Sequence, residues 1–300
     1  MNSTQKLQAI LEALFRPYRN RVPDVGLVLE QMLRQKIIND ETDIENDHIA
    51  FRTLGVPHLG IQSFEKIFLH YGYTKQDAYK FEKKKLDAFW YAPPSEEFPR
   101  VFISELRVEE LSKTCQKIIH KYTSSLTSDP VDAIDLDDVT AVDKFFHQPL
   151  WELPTVGDYQ TLATESEYAS WVIYNRYYLN HYTISVHSLP EGYDTLEQFN
   201  AFLEGIGVVL NQAGGKIKVS PDGLLRQSSS VAHEVEASFA GGEQLSIPGS
   251  YVEFAERLPL PPFKNLRKEK LTRQHRREGF EAGNADKIFE STFTEQLKHR

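Results

Sequence analysis

Predicted secondary-structure elements recur in this chain in the same order, and this recurrence limits the possible folds more than any other feature. Short apolar runs between turn residues indicate strands, and apolar residues spaced three and four apart indicate helices. The first copy consists of predicted strand 48–54, helix 61–71 and strands 77–81, 84–92 and 100–107. The second copy consists of predicted strand 180–187, a helix that begins after Thr195, and strands 216–219, 224–239 and 244–257. Two β-α-β-β-β copies predict an α+β fold in which paired modules form a curved sheet.

The segments outside the two copies are mostly helical in pattern. Residues 1–46 carry two amphipathic stretches, and residues 108–176 are predicted to form a helical insertion between the copies. The basic stretch 264–277 is predicted to form a solvated helix face. We therefore expect three regions along the chain: N-terminal helices over 1–46, the paired-module domain over 47–292, and a tail over 293–300.

The composition excludes several classes of protein. The 300 residues include 43 acidic and 34 basic side chains, a formal net charge of −9, whereas general nucleic-acid binders are usually basic. No apolar run approaches the roughly 20 residues that a membrane-spanning helix needs. The single cysteine, Cys115, cannot form an internal disulfide, which favours a reducing compartment and excludes multi-thiolate metal sites. We expect a cytoplasmic protein that acts on a small molecule, without nucleic-acid or membrane partners.

Histidine and glutamate residues lie on the strands that open and close each copy. His48 and His181 lie on the two opening strands, and Glu105 and Glu253 on the two closing strands. If the modules close around a common cleft, these strands bring up to four potential metal ligands together. Two imidazoles and one carboxylate with open positions suit non-haem Fe(II), and the same set also serves catalytic zinc. His187 shares a strand face with His181 and remains an alternative ligand.

Two arginines and a polar run lie close to these candidate ligands in sequence. Arg52 follows His48 by four residues, about 13 Å along an extended strand, and could hold the far carboxylate of a small diacid with two hydrogen bonds. Arg257 stands in the same relation to Glu253 and is likewise a candidate substrate-binding residue. For both arginines the alternative is a salt bridge at the rim of the site. The polar run 226–230 either lines a polar pocket or forms the solvent face of an edge strand. Its candidate substrate-binding residues are Gln227 and Ser228.

Five sequence blocks carry a family resemblance. They are DHIAFR at 47–52, PRVFISEL at 99–106, NHYT at 180–183, IPGSYVEFAER at 247–257 and GFEAGNADKIFEST at 279–292. Together these blocks resemble the 2-oxoadipate dioxygenase/decarboxylase family, which was long catalogued as a domain of unknown function. The blocks occur in the family's order and extend over nearly the whole chain, which makes the resemblance specific.

The resemblance implies a fold of the vicinal-oxygen-chelate type, in agreement with the doubled element order. It also implies an Fe(II) site whose ligands fall on His48, His181 and Glu253, with Arg52 as the substrate-binding arginine. The resemblance does not assign Glu105 as a metal ligand. Glu105 remains a candidate for contacting a ligand side chain without contacting the metal itself. The implied activity converts 2-oxoadipate and O2 to 2-hydroxyglutarate and CO2.

Two other functions stay open on the sequence alone. A glyoxalase-like isomerase or lyase on the same scaffold would use Zn(II) or Ni(II) with Glu105 as a fourth ligand and would not require oxygen. A non-catalytic module would keep the fold and bind a small ligand or a metal without turnover. Metal content and oxygen dependence distinguish these functions from a dioxygenase.

Overall fold

The computed structural model describes residues 1–300 and contains ten helices and ten strands. The helices are α1 (Ser3–Arg21), α2 (Pro23–Arg34), α3 (Ile61–His70), α4 (Lys113–Thr123), α5 (Val139–His147), α6 (Val156–Glu165), α7 (Glu167–Asn175), α8 (Leu196–Gly205), α9 (Ala282–Ile288) and α10 (Thr294–Leu297). The strands are β1 (Asn46–Leu54), β2 (Thr74–Phe81), β3 (Leu86–Ala92), β4 (Arg100–Leu106), β5 (His181–Ser185), β6 (Lys218–Val219), β7 (Leu225–Ser229), β8 (Glu234–Ser238), β9 (Gln244–Pro248) and β10 (Tyr251–Arg257). None of the helices combines the length and apolar character needed to span a membrane.

The doubled β-α-β-β-β order is confirmed. Elements β1, α3, β2, β3 and β4 form the first copy, and β5, α8, β6, β7 and β10 form the second. The strands β8 and β9 pair with each other in a separate two-stranded sheet, inserted before the last strand of the second copy. The region between the copies holds helices α4 to α7, as the patterning predicted.

The chain divides into two compact units. The first unit comprises Met1–Tyr18, Ala50–Asn180 and Glu234–Ile247, and the second comprises Arg19–Ile49, His181–His233 and Pro248–Arg300. Each unit incorporates part of the N-terminal helices. Strand β1 begins in the second unit and ends in the first.

In the first unit, strands β2, β3 and β4 pair antiparallel, and β4 packs against helix α3. The helix buries Phe64 and Phe68, and both rings pack against Phe51 of strand β1 and Phe146 of helix α5. The apolar residues of α3 recur at three- and four-residue spacing, which places them on the single stripe that faces this core.

In the second unit, strand β10 is central, pairing parallel with β5 and antiparallel with β7. The registered pairs include Tyr251 with His181, Glu253 with Thr183, and Glu253 with Ser229. Because paired residues of adjacent strands share a face, this register places His181, Thr183 and Glu253 together on one side. The alternation read from the sequence therefore assigned these residues to the correct faces.

Each copy uses a glutamate near the end of its last strand to hold the first turn of its own helix. In the first copy, Glu105 Oε2 accepts a hydrogen bond of 2.7 Å from the Ile61 N–H. In the second copy, Glu256 Oε2 accepts one of 3.0 Å from the Leu196 N–H. The carboxylates satisfy donors that a helix start leaves open and lie at the positive end of the helix dipole. Gly60 has a φ of +82°, and a Cβ there would overlap the Glu105 carboxylate, so only glycine suits this position.

The basic stretch 264–277 does not form the predicted helix. It contains only short 3-10 turns at Lys268–Lys270 and Arg273–His275. Its long side chains bind groups of the second unit instead: Lys268 Nζ donates to the Leu189 carbonyl and to Asp194, each at 2.6 Å. Tertiary hydrogen bonds of this kind override a helix pattern that rests on charge spacing alone.

Candidate metal centre

Three buried side chains of the second unit converge on one point. His48 comes from β1, His181 is the first residue of β5, and Glu253 lies on β10. Their ligand atoms all lie within 4.8 Å of one another. The His181 Nε2 atom is 3.1 Å from Glu253 Oε2 and 3.3 Å from His48 Nε2, and His48 Nε2 is 3.6 Å from Glu253 Oε1. The side chains expected to be ligands are therefore brought together.

Strand register explains why His181 and Glu253 meet. His181 pairs with Tyr251 across β5 and β10, and Glu253 follows Tyr251 by two residues. The two side chains are thus diagonal neighbours on one face, within reach of each other. The His181 ring also packs against the Tyr251 ring at a centroid distance of 4.8 Å, which limits its freedom to turn away.

The cluster contains a carboxylate whose negative charge suits a bound cation. Burial raises the pKa of Glu253, but the neighbouring His48 and His181 outweigh burial and lower that pKa to about 2. Burial lowers the pKa of His48, but the Glu253 carboxylate and the hydrogen bond to Asp47 outweigh it and raise that pKa. Glu253 is accordingly an anion at neutral pH, aimed at two imidazoles in a buried site.

The donor set fits a divalent metal ion. His48 Nδ1 lies 2.8 Å from Asp47 Oδ1, and because a carboxylate only accepts, Nδ1 carries the proton. The other ring nitrogen, Nε2, then presents its lone pair to the cluster, which is the tautomer that a metal ligand needs. Two imidazole nitrogens and one carboxylate oxygen form a set used by both iron and zinc enzymes. The residues support a metal site and leave the choice between these ions open.

Arg257 has different partners from those expected of a substrate-binding residue. Its Nε and Nη2 atoms donate to the two oxygens of Asp47, at 2.6 and 2.9 Å. Its Nη1 atom donates to the carbonyls of Gly279 and Arg277, at 2.7 and 3.1 Å. Four of the five N–H groups of this buried guanidinium are used within the protein. Arg257 therefore supports His48 through Asp47, and its geometry does not favour the expected substrate contact.

The two polar candidates on β7 point in opposite directions. Gln227 Nε2 donates to Glu253 Oε1 at 2.6 Å, so this side chain contacts a candidate ligand. The Ser228 hydroxyl donates to Asn200 of α8 at 2.8 Å, on the other face of the strand. Neighbouring residues of a strand point to opposite faces, so Ser228 faces away from the cluster. Its position does not support a substrate-binding role. The run 226–230 is mostly buried, so it is not a solvent face.

Arg52 and Glu105 both belong to the first unit. The Arg52 side chain is 1% exposed, and its guanidinium carbon lies 5.2 Å from the Tyr168 ring centroid and 5.1 Å from that of Trp171. Glu105 is not among the three converging ligands. It holds the start of α3, as described above, and lines a cavity of about 470 Å³ in the first unit. A fourth-ligand role for Glu105, which the isomerase alternative required, has no support in this arrangement.

Sequence reasoning missed several residues around the cluster. Asp47 precedes His48 directly, and a carboxylate beside a candidate histidine ligand could have indicated a partner for its second nitrogen. The Thr183 hydroxyl lies 3.1 Å from His48 Nε2, and the Phe280 ring packs edge-on against His48 at 4.8 Å. The alternative ligand His187 lies beyond the end of β5, and its Nδ1 accepts from the Arg257 backbone N–H at 3.2 Å.

Comparison with known proteins gives consistent results. A curated relative from Arabidopsis thaliana, named a chloroplastic 2-oxoadipate dioxygenase/decarboxylase, is 44% identical over 98% of this chain and 79% of its own length. A crystal structure of hydroxyglutarate synthase from Oryza sativa, in complex with 2-oxoadipate, superposes with a TM-score of 0.89 at 42% identity. The superposition covers 99% of this chain and 95% of that one. A glyoxalase-superfamily structure from Ralstonia eutropha JMP134, 22% identical with a TM-score of 0.72, covers 94% of this chain and 87% of its own and shares the fold.

These comparisons bear on two of the expectations. The expected fold of the vicinal-oxygen-chelate type is confirmed by the likeness to the synthase and to the glyoxalase-superfamily structure. The expected cytoplasmic location is wrong: it is contradicted by the chloroplastic or amyloplastic location that the curated plant relatives carry in their names. A sequence model described as 2-oxoadipate dioxygenase/decarboxylase matches residues 10–269. With most of its length matched, this chain belongs to the 2-oxoadipate dioxygenase/decarboxylase family.

Proposed function

We propose that this protein is an Fe(II)-dependent dioxygenase that converts 2-oxoadipate and O2 to 2-hydroxyglutarate and CO2. The observation that carries the proposal is the convergence of His48, His181 and Glu253 in a chain 42% identical to a synthase crystallised with 2-oxoadipate. The reaction balances without a second organic substrate. One carbon leaves as CO2, and both atoms of O2 enter the five-carbon product.

The proposed iron ligands are His48 and His181 through Nε2 and Glu253 through its carboxylate. Two-histidine, one-carboxylate sites leave several coordination positions of the metal open. A bound Fe(II) would let the 2-oxo acid chelate it at two of these positions and would activate dioxygen at another. The anionic Glu253 offsets part of the cation's charge in a buried environment. The proton held on His48 Nδ1 by Asp47 keeps Nε2 free for the metal.

Arg52 is proposed to bind the distal carboxylate of the substrate. A guanidinium can form two parallel hydrogen bonds with a carboxylate, which fixes both position and orientation. The flanking Tyr168 and Trp171 rings lie at cation–π distance from this group and hold it without neutralising its charge. A dicarboxylic 2-oxo acid would therefore be favoured over a monocarboxylic one of similar length.

Oxygen consumption tests the proposal directly. The purified chain is loaded with Fe(II) without oxygen, mixed with 2-oxoadipate, and then supplied with a measured amount of O2. We expect equal amounts of O2 consumed, CO2 released and 2-hydroxyglutarate formed. Adipate, which lacks the 2-oxo group, serves as the matched control and should cause no oxygen uptake. Metal retention without substrate-dependent uptake would contradict the proposed reaction.

A further inference from the structure

The two carboxylate oxygens of Glu253 have different partners. Oε1 accepts a short hydrogen bond of 2.6 Å from Gln227 Nε2. Oε2 lies 3.1 Å from His181 Nε2 and has no such amide donor. Both Glu253 and Gln227 are at most 2% exposed, so water does not compete for this hydrogen bond. Oε1, which is 3.6 Å from His48 Nε2, is thus engaged by the Gln227 amide, whereas Oε2 makes the closer approach to a histidine of the cluster and has no amide donor.

Asn284 fixes the direction in which the Gln227 amide points. The Asn284 Nδ2 atom lies 3.0 Å from Gln227 Oε1, 3.3 Å from the Leu225 carbonyl and 3.4 Å from the Lys218 carbonyl. Three oxygens around one atom identify it as the NH2 group, since an oxygen there would meet only acceptors. The Gln227 oxygen must therefore face Asn284, and its NH2 group must face Glu253. Reversing the Gln227 amide would place its oxygen against Glu253 Oε1 and its NH2 group against the NH2 group of Asn284.

We propose that Gln227, oriented by Asn284, keeps Glu253 a one-oxygen ligand of the metal. This inference rests on the metal site of the proposed function. It adds that Gln227 and Asn284 determine how many coordination positions of the metal stay open. A six-coordinate ion held by three protein atoms has three positions left. A 2-oxo acid that chelates through two oxygens uses two of these, and one stays available to O2. If Glu253 bound through both oxygens, that last position would be lost once substrate was present.

Both side chains are positioning residues, because they act through Glu253 without contacting the metal. The proposal gives Gln227 a different task from direct substrate binding. It also explains why a residue of α9, distant in sequence from every ligand, is buried at this place: Asn284 is 3% exposed. Loss of either residue should therefore reduce the number of open coordination positions on the metal more strongly than it reduces metal retention.

The test uses Gln227→Met and Asn284→Asp. Methionine keeps the volume and removes the donor. Aspartate replaces the Asn284 donor with an acceptor, which favours the reversed Gln227 amide and frees Glu253 Oε1. The neighbouring Arg226→Lys is the control, because Arg226 lies on the opposite face of β7 and pairs with Glu256 at 2.9 Å. Thermal unfolding of every variant verifies that the fold is kept.

Nitric oxide reports the open position, because it binds Fe(II) at the place that O2 would take. The EPR signal that it produces is titrated with and without saturating 2-oxoadipate. For both variants we expect nitric oxide affinity in the presence of substrate to fall by roughly tenfold or more, the range in which residues supporting a ligand act. Without substrate the affinity should change by no more than about twofold, since open positions then remain. The absorption of the Co(II)-loaded protein, which is sensitive to coordination number, gives a second readout.

The outcomes separate this inference from the proposed function. If the wild-type chain retained no Fe(II), the proposed metal site would fail, and the inference would fail with it. If the wild type bound metal and substrate but the folded variants bound nitric oxide as it does, only the role of Gln227 and Asn284 would be overturned. A loss of nitric oxide binding that appears only with substrate present supports the inference.

Discussion

Asp47 and Arg257 form a two-point ion pair directly behind His48, with oxygen–nitrogen distances of 2.6 and 2.9 Å and both side chains at most 1% exposed. The Asp47 oxygen bonded to Arg257 Nη2 also accepts from His48 Nδ1. A buried carboxylate with this many donors has little freedom to move. The ion pair therefore fixes the orientation of the His48 ring through Nδ1 and also selects the tautomer of that ring.

Replacing Asp47 with asparagine should weaken metal binding. The amide can present its NH2 group to His48 Nδ1, which would favour a proton on Nε2, the nitrogen aimed at the cluster. We expect the affinity for Fe(II) or Co(II) to fall by roughly 10- to 100-fold, measured by anaerobic titration. Asp43→Asn, an exposed change in the same unit, is the control. Equal affinities in wild type and Asp47→Asn would show that this contact does not position His48.

Removing a proposed ligand should have a larger effect than removing the histidine that was the alternative. His181→Ala or Glu253→Ala should abolish metal retention on gel filtration, because only two of the three donors remain. His187→Ala should keep the metal, since His187 lies outside the cluster. Metal analysis of the eluted protein distinguishes the two results. Full metal occupancy in Glu253→Ala would exclude Glu253 as a ligand.

Replacing Arg52 with lysine should weaken substrate use while the metal stays bound. Lysine keeps the positive charge but cannot form the parallel pair of hydrogen bonds with a carboxylate. We expect KM for 2-oxoadipate to rise by about tenfold or more, with a smaller change in kcat. Metal content, measured on the same samples, should match the wild type. Wild-type kinetics in Arg52→Lys would contradict the proposed carboxylate contact.

His187 should make the fold sensitive to acid. Burial, with the nearby positive charge of Arg276, lowers the pKa of His187 from 6.5 to about 3. Between these two pH values the unfolded chain binds a proton that the folded chain does not, so stability falls as the pH drops through this window. The contribution is roughly 3 to 5 kcal/mol over the full window.

His187→Gln tests this contribution, because glutamine can still accept from the Arg257 backbone and does not titrate. Urea unfolding above and below pH 6.5 should show a smaller loss of stability in the variant than in the wild type. The difference between the two proteins isolates His187 from the carboxylates that titrate in the same range. Parallel pH profiles would show that His187 is not the cause.

Strand alternation and element order were readable from the sequence because they depend on local periodicity. The face on which His181 or Glu253 lies follows from the residue spacing within its own strand, β5 or β10. The register between these two strands then brings the side chains together. The two copies could be recognised for the same reason. These features require no knowledge of which distant segments pack together.

The partners of Arg257 and Glu105 could not be read in the same way. Arg257 binds Asp47, which is 210 residues away in the chain, and only the tertiary structure decides that pairing. Glu105 resembled Glu253 in strand position, yet it lies where α3 begins and serves that helix instead. Asn284 lies in a block that carries the family resemblance, but its role was not readable, because that role depends on three oxygens supplied by other segments.

Labelled dioxygen shows where each oxygen atom of O2 goes in the proposed reaction. The Fe(II)-loaded chain is incubated with 2-oxoadipate under ¹⁸O2, and the products are read by mass spectrometry. We expect 2-hydroxyglutarate to carry both labelled atoms, one in a carboxylate and one in the hydroxyl group, and CO2 to carry none. A hydroxyl oxygen derived from water, or product formed equally well without oxygen, would contradict it.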